Sequence, residues 1–212
     1  PMSPPRSSLA SGTYGLGATL VMSAPVEGAV IHYTVDGTVP TWESPKYTEP
    51  LTLNRSAIVR ARASANGRTL GRMATWHYVI GDSSLERISS DLPVVIVDSM
   101  GQHISPKGPS QTIIHIYDRG ENGRTALDKA PVLSEVATLK VRGSSTEGRP
   151  KKAYNVEFQD AYGDDLDREV LGMPADSDWI LYAPYNFDRA LLRNAFVYEV
   201  SNQLGMYAVR TR

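Results

Sequence analysis

The sequence has no cysteine in its 212 residues, so disulfide scaffolds and thiolate metal sites are excluded. No apolar run approaches the roughly 20 residues that a membrane-spanning helix needs. The first ten residues, PMSPPRSSLA, also lack a hydrophobic signal core. We therefore expect neither a membrane span nor a signal peptide in this chain. The formal net charge is -1, and no basic stripe interleaves with aromatic residues, so nucleic acid is not an expected partner.

The first eighty residues are predicted to form an all-β, immunoglobulin-like sandwich. Short β-favouring runs at 19–23, 30–35, 58–65 and 72–78 are separated by clusters of Gly, Pro, Asn and Ser. The stretch AVIHYTVDGTVPTWESPKYTEPLTL contains the pattern YTxDGxxPT, formed by Tyr33, Thr34, Asp36, Gly37, Pro40 and Thr41. In these residues it resembles the β-sandwich module at the carboxyl end of chitobiase and related hexosaminidases. The resemblance implies an accessory domain without catalytic residues of its own.

A polar segment, GDSSLERISS, precedes the strongly apolar run LPVVIV and marks a domain boundary. The sequence predicts domains at 1–81 and 92–212, joined by a linker at 82–91. In the second domain we predict strands at 92–97, 112–118, 135–142, 152–158 and 179–182, followed by a long helix at 188–204. Asp188 is suited to cap the start of this helix, and Gly205 to end it. The predicted fold class is therefore α+β: a sandwich, then a mixed sheet plus a long helix, in the order of a kinase amino-terminal lobe.

Positive charge is concentrated in the segment KVRGSSTEGRPKKAY, which joins two of these strands and predicts an anion site. Its basic residues are Lys140, Arg142, Arg149, Lys151 and Lys152. The spacing of Gly143 and Gly148 matches the glycines of a P-loop. However, Arg149 and Pro150 replace the lysine and the hydroxyl residue that follow them, so this is not a Walker A motif.

Four blocks in the second domain resemble the amino-terminal half of a CotH-family kinase domain: LKVRGSST, RPKKAYNVEF, VLGMPADSDWILYAPYNFDRALLRNAFVYEV and LGMYAVRTR. The resemblance covers roughly residues 92–212. It implies a bacterial secreted or cell-surface protein kinase that binds ATP and Mg²⁺ and phosphorylates serine or threonine of a protein substrate. The catalytic and metal-binding acidic residues are expected downstream of Arg212. We therefore expect no catalytic or metal site in this chain, and no phosphoryl transfer by it alone.

Strand and helix periodicity selects the candidate nucleotide-binding residues. Strand alternation places Lys152 on the apolar side of its strand, and helical spacing places Glu199 on an apolar stripe that includes Phe196. We predict that Lys152, or Lys151 in its place, pairs with Glu199, as the strand lysine and helix glutamate do in protein kinases. The alternative is that both Lys152 and Glu199 are solvated.

Arg142 and Arg193 complete the set of candidate phosphate-binding residues. The alternatives are that Arg142 protects an exposed strand edge and that Arg193 forms a structural ion pair with Asp188. Arg193 and Asn194 retain an Arg-Asn pair of the resembled family.

Weaker patterns favour structural roles. The acidic residues Asp160, Asp164, Asp165 and Asp167 are typical of a solvated hairpin turn, since their spacing does not fit a calcium loop. The four histidines have no ligand-like spacing. Trp42 is the aromatic residue that we would test for carbohydrate. The competing function is a non-catalytic adhesion or carbohydrate-binding module that contacts polysaccharide through the sandwich.

Overall fold

A computed structural model describes residues 2–65, 69–143 and 148–212, and these ranges are mostly β-sheet with one short α-helix. The strands are β1 Arg6–Ser7, β2 Gly12–Gly15, β3 Ala18–Leu20, β4 Met22–Ser23, β5 Val30–Thr34, β6 Leu51–Leu53, β7 Ala57–Ser64, β8 Met73–Gly81, β9 Ser89–Ser90, β10 Val94–Asp98, β11 Ser110–Tyr117, β12 Thr125–Ala126, β13 Leu133–Arg142, β14 Ala153–Phe158, β15 Arg168–Val170, β16 Met173–Asp176 and β17 Asp178–Leu181. The helix α1 spans Arg193–Gln203, and 3₁₀ turns span Leu85–Arg87 and Pro184–Asn186.

The chain divides into two compact units. The first consists of Pro1–Gln102, Thr112–Val136 and Asp160–Asp164, and the second of His103–Gln111, Ala137–Gln159 and Asp165–Arg212. The predicted linker at 82–91 lies inside the first unit. The domain limits drawn from the sequence stay a prediction.

The amino-terminal strands form the β-sandwich that the sequence predicts. One sheet has the order β2-β8-β7-β5, and the shorter pairs β3-β6 and β1-β4 accompany it. Strand β2 is an edge strand and runs parallel to β8, whereas β7 pairs antiparallel with both β8 and β5. The core of this region is a cluster of buried side chains: Leu20, Met22, Ile31, Leu53, Ala57, Val59, Ala61, Ala63 and Tyr78. The alternating apolar residues of β7 therefore build the sandwich core.

The Asp36-Gly37 pair of the YTxDGxxPT pattern forms a tight turn. Gly37 has a φ of +82°, a conformation that favours glycine, and its N–H donates to the Ile58 carbonyl at 3.0 Å. A side chain at Gly37 would approach Ile58 to 3.2 Å. The Asp36 carboxylate accepts both the N–H and the hydroxyl of Thr38, at 3.0 and 2.6 Å. The pattern thus encodes a turn held against β7.

A second buried cluster of the first unit joins residues from both sides of the predicted linker. Ile58 and Val79 of the sandwich pack with Ile113 and Val136, which come from β11 and β13. Strand β10 pairs antiparallel with β11 beside this cluster. Ser56 also donates a short hydrogen bond to the Asp98 carboxylate at the end of β10. The sandwich and the β10–β11 hairpin therefore share one core.

The second unit contains the strand order β13-β14-β17, in which both described pairings are antiparallel. The predicted mixed sheet is not seen among the described residues of this unit. The strand predictions for 135–142, 152–158 and 179–182 are confirmed within two residues. The structure adds the hairpin of β15 and β16, which the sequence reasoning missed.

The predicted long helix is wrong in length. It begins at Arg193 rather than Asp188, because Leu191 has a φ of +60° and cannot belong to a right-handed helix. Asp188 is not the N-cap residue, because Leu192 holds that position without a side-chain hydrogen bond, but the Asp188 carboxylate accepts the N–H of Arg193 at 2.7 Å. At the other end Gly205 has a φ of +76°, as the predicted C-terminal cap requires. With a helix of 11 residues, the arrangement of a kinase amino-terminal lobe stays a proposal.

Candidate functional site

The sheet of the second unit has one apolar and one polar face. Leu139, Val156 and Phe158 lie on the apolar face and are nearly fully buried. Residues directly opposite each other in antiparallel strands share a face. The register therefore places two rows on the other face: Thr138, Glu157 and Asp178 in one, and Lys140, Asn155 and Ile180 in the next.

These two rows line a cleft of about 420 Å³, which Pro109 and Trp179 complete. Lys140 and Asn155 supply N–H donors to it, whereas Glu157 and Asp178 supply carboxylates. Gln159 donates to Glu157 at 3.2 Å, which helps to orient that carboxylate. The cleft thus offers donors for an anion beside acceptors for a cation.

Arg142, at the end of β13, shares the face of Lys140. It pairs with Ala153 and is exposed. Lys151 is exposed and Lys152 is half-buried, and both directly precede β14. Strand pairing therefore brings Arg142 close along the backbone to the two lysines, as expected for a basic turn. Residues 144–147 of that turn lie outside the described residues.

Arg149, also in the basic turn, lies over the ring of Phe187. The guanidinium carbon is 5.7 Å from the ring centroid, within the range of a cation–π contact. This contact connects the basic turn with the segment that precedes α1. Arg149 was among the charges counted in the turn, but its aromatic partner could not be read from the sequence.

Glu199 does not lie on a buried helix face. No residue of α1 is buried, and Phe196, on the predicted apolar stripe, is 68% exposed. The Glu199 carboxylate accepts a hydrogen bond from Gln203 at 2.9 Å. Within the described ranges no ion pair joins it to Lys152. The expectation that burial forces Glu199 to pair is therefore wrong for this structure, and its role with Lys152 or Lys151 stays a prediction.

Arg193 takes the structural alternative that the sequence left open. Its Nε atom lies 3.7 Å from the Asp188 carboxylate, and its side chain is 78% exposed. Solvent weakens such a pair, so the backbone hydrogen bond from Arg193 to Asp188 contributes more to the start of α1. A phosphate-binding role for Arg193 stays a prediction.

Sequence reasoning included Lys140 in the basic turn but did not single out Asn155, Glu157 or Asp178. The signal was present: the same alternation that places Tyr154, Val156 and Phe158 on one face places Asn155 and Glu157 on the other. The partner strand was the missing information, because only the register shows which residues of β13 and β17 lie beside them. Among the described residues no group of three or more His, Asp or Glu side chains is placed to hold a metal ion.

Comparison with known families gives two matches, in the order that the sequence predicts. Residues 9–75 match the family model described as Chitobiase/beta-hexosaminidase C-terminal domain. Residues 139–212 match the family model described as CotH kinase protein. The chain thus has a region similar to the chitobiase-type module, followed by a region similar to part of the CotH family. No curated protein and no solved structure matches the chain.

No helix among the described residues is long and apolar enough to span a membrane.

Proposed function

We propose that the region from residue 139 onward is the nucleotide-binding part of a CotH-type protein kinase. The intact protein would bind ATP and Mg²⁺ and transfer the γ-phosphoryl group to a serine or threonine hydroxyl of a protein substrate. The observation that carries the proposal is the cleft lined by Lys140 and Asn155, whose lining residues other than Pro109 and Thr138 lie within the residues that match the CotH family. A secreted or cell-surface bacterial location belongs to the same proposal and is supported by the resemblance.

The residues of the cleft fit the groups that a magnesium nucleotide presents. The Lys140 ammonium group and the Asn155 amide are donors for phosphate oxygens. Glu157 and Asp178 lie directly opposite each other. The sequence led us to expect metal ligands only downstream of Arg212, but Mg²⁺ is commonly held by one or two carboxylates together with substrate phosphates, so this pair would contribute ligands to the metal. When bound, Mg²⁺ neutralises the charge of the phosphates.

The basic turn extends this donor set beyond the cleft. Two residues along a strand span about 7 Å, so Arg142 and Lys140, which share a face, are close enough to contact neighbouring phosphate groups of one nucleotide. Lys151 and Lys152 adjoin Arg142 in the chain fold because Arg142 pairs with Ala153. Strand alternation favours the cleft face for Lys151 and the apolar face for Lys152, so the phosphate-binding role of Lys152 stays a prediction. We propose that the cleft binds the nucleotide and that the basic residues at the strand ends bind its outer phosphates. Arg193 and Glu199, which belong to α1, are further predicted participants.

Calorimetric titration with MgATP tests the proposal on this chain and on a longer version of the protein. We expect Lys140→Ala to weaken binding by about tenfold to a hundredfold, as for a lost charge-assisted hydrogen bond of about 1.5 to 3 kcal/mol. Lys107→Ala is the matched control, because Lys107 is an exposed lysine of the same unit outside the cleft. Unchanged affinity in Lys140→Ala, or no ATP binding by either protein, would contradict the proposal.

A second function, carbohydrate binding, is proposed for the amino-terminal module. The family matched by residues 9–75 is named after chitobiase and beta-hexosaminidase, which supports a ligand built from hexosamine units. Trp42, the aromatic residue that the sequence selects for a carbohydrate test, is 46% accessible. In this reading the module attaches the kinase-like region to a polysaccharide.

A further inference from the structure

The first unit contains another cleft, of about 500 Å³, which runs along the edge strand β2. A volume of this size lies in the range of about 300 to 1,000 Å³ that is typical of small-molecule sites. Its apolar surface comes from Leu85, Leu127 and the ring of Tyr14, and its charged groups are Asp82, Asp128 and Lys129. None of these residues belongs to the proposed nucleotide cleft.

The aromatic side of the cleft is held in place before any ligand binds. The Tyr14 hydroxyl donates to the Ala10 carbonyl at 2.8 Å, and its ring packs at a tilt against buried Tyr78 with centroids 6.0 Å apart. Ligand binding would therefore cost little side-chain entropy at Tyr14. Gly15, which follows Tyr14 and has open space at the position of a Cβ, leaves the backbone at the end of β2 open to close approach.

The charges of the cleft disfavour an anionic ligand. Asp82 and Asp128 outnumber Lys129, and all three residues are exposed. The side chain of Ser84 and its backbone N–H, the latter at 2.8 Å, hydrogen-bond to the Asp82 carboxylate and lower the pKa of Asp82. An ionised, oriented carboxylate accepts hydrogen bonds from hydroxyl and amide groups and repels phosphates and uronates.

We propose that this cleft, rather than the surface around Trp42, is a binding site for an uncharged oligosaccharide. Such a ligand presents apolar ring faces to Tyr14 and Leu85, which are partly exposed, and hydroxyl or N-acetyl groups to Asp82, Asp128 and Lys129. Trp42 lines neither of the two clefts, and its ring packs edge-on against His32 with centroids 5.5 Å apart. The proposal rests on the carbohydrate-binding function proposed for the amino-terminal module and assigns its site.

Titration of the 212-residue chain with soluble oligosaccharides tests this site. The panel contains an oligomer of N-acetylglucosamine, an oligomer of glucose and an oligomer of galacturonic acid. Binding of each is measured by calorimetry and by ligand-observed NMR. We expect an uncharged oligomer to bind and the uronic acid oligomer to bind at least about tenfold more weakly. Asp128→Ala and Tyr14→Ala should each weaken binding about tenfold or more, as when a hydrogen bond to a charged group or a stacked ring is lost.

Two variants separate failure of the site from failure of the function. Trp42→Ala removes an exposed aromatic residue of the module that lies outside the cleft and should leave affinity unchanged. Asp128 is at the surface, so Asp128→Ala keeps the test valid if Tyr14→Ala disturbs folding. Binding that is lost in Trp42→Ala and kept in Asp128→Ala would overturn this site while the carbohydrate-binding function stands. Absence of binding by every oligomer would overturn both.

Discussion

Acid should destabilise the first unit through two buried histidines. His77 and His115 are 7% and 0% exposed. The His77 Nδ1–H donates to the Ser134 carbonyl at 3.0 Å, and His115 Nδ1 lies 3.4 Å from the Thr13 hydroxyl. His115 Nε2 is buried and has no hydrogen-bond partner among the described residues. Both rings are therefore held in the neutral form.

Burial lowers the pKa of His77 and of His115 to about 4, from an ordinary value of 6.5. Neighbouring charges modify this effect: Arg60 further lowers the pKa of His77, and His77 further lowers the pKa of His115, which Asp98 raises to a smaller extent. Below pH 6.5 the two histidines bind protons in the unfolded chain but not in the folded chain, so the free energy of unfolding falls as the pH falls towards 4. Each histidine should remove about 2 kcal/mol between pH 7 and pH 5, and about 3 kcal/mol once the pH reaches 4.

Urea denaturation at pH 7, 6 and 5 measures this loss. For the two histidines together we expect the free energy of unfolding to fall by about 4 kcal/mol between pH 7 and pH 5, out of a typical 5 to 15 kcal/mol. His115→Gln should reduce this pH dependence by about half, whatever it does to stability at pH 7. His103→Gln, at an exposed histidine, is the control and should preserve the full dependence.

A free energy of unfolding that stays constant between pH 7 and pH 5 would refute this reasoning. So would an undiminished pH dependence in both His115→Gln and His77→Gln. Either result would mean that the rings reach water or a partner in the folded protein. Carboxylates titrate mainly below pH 5 and therefore cannot imitate the expected loss.

Two further predictions concern local structure. Asp188→Ala should lower the stability of α1 by about 0.5 to 1.5 kcal/mol, because the hydrogen bond from the Arg193 N–H to the Asp188 carboxylate is lost. Hydrogen exchange of the helix amides measures the effect, and exposed Asp167→Ala should leave it unchanged. Limited proteolysis should cut the polar segment 82–91 yet leave both pieces together in gel filtration, since Ile58 and Val79 share a core with Ile113. Pieces that elute separately would instead support two independent domains.

The strands were predictable because their signals are local. Alternating apolar residues and turn clusters located β5, β7, β8, β13 and β14, and the Asp36-Gly37 pair indicated a turn that the structure places against Ile58. The start of α1 was not predictable in this way. The run from Asp188 to Leu192 has good helix formers, but Leu191 adopts a positive φ while the Asp188 carboxylate reaches past it to Arg193. A hydrogen bond between residues five apart is compatible with more than one local backbone conformation, so the sequence alone does not fix the residue at which α1 begins.

The candidate nucleotide site was predictable in charge but not in shape. Counting basic residues indicated an anion site near Lys140, Arg142 and Lys152, whereas the cleft depends on which residues lie opposite in the neighbouring strands. Pairing of β14 with β17 places Asp178 beside Glu157, and no feature of sequence spacing joins these two residues. Helical periodicity also suggested burial of Glu199, but periodicity gives only a face of the helix and not what covers it.

The acidic stretch that begins at Asp160 has a structural role beyond its turn, because it lies beside the buried side chain of Arg60. Arg60 lies in β7, is 3% exposed, and donates to the Ala161 carbonyl at 2.8 Å, 101 residues away in the chain. Burial lowers the pKa of Arg60, whereas the charge of Asp160 opposes that shift. Asp160 also accepts the N–H of Tyr162 at 2.7 Å, which shapes the loop. A buried guanidinium needs a nearby negative charge, so Asp160 supports the fold around Arg60 in addition to forming the turn that its sequence predicts.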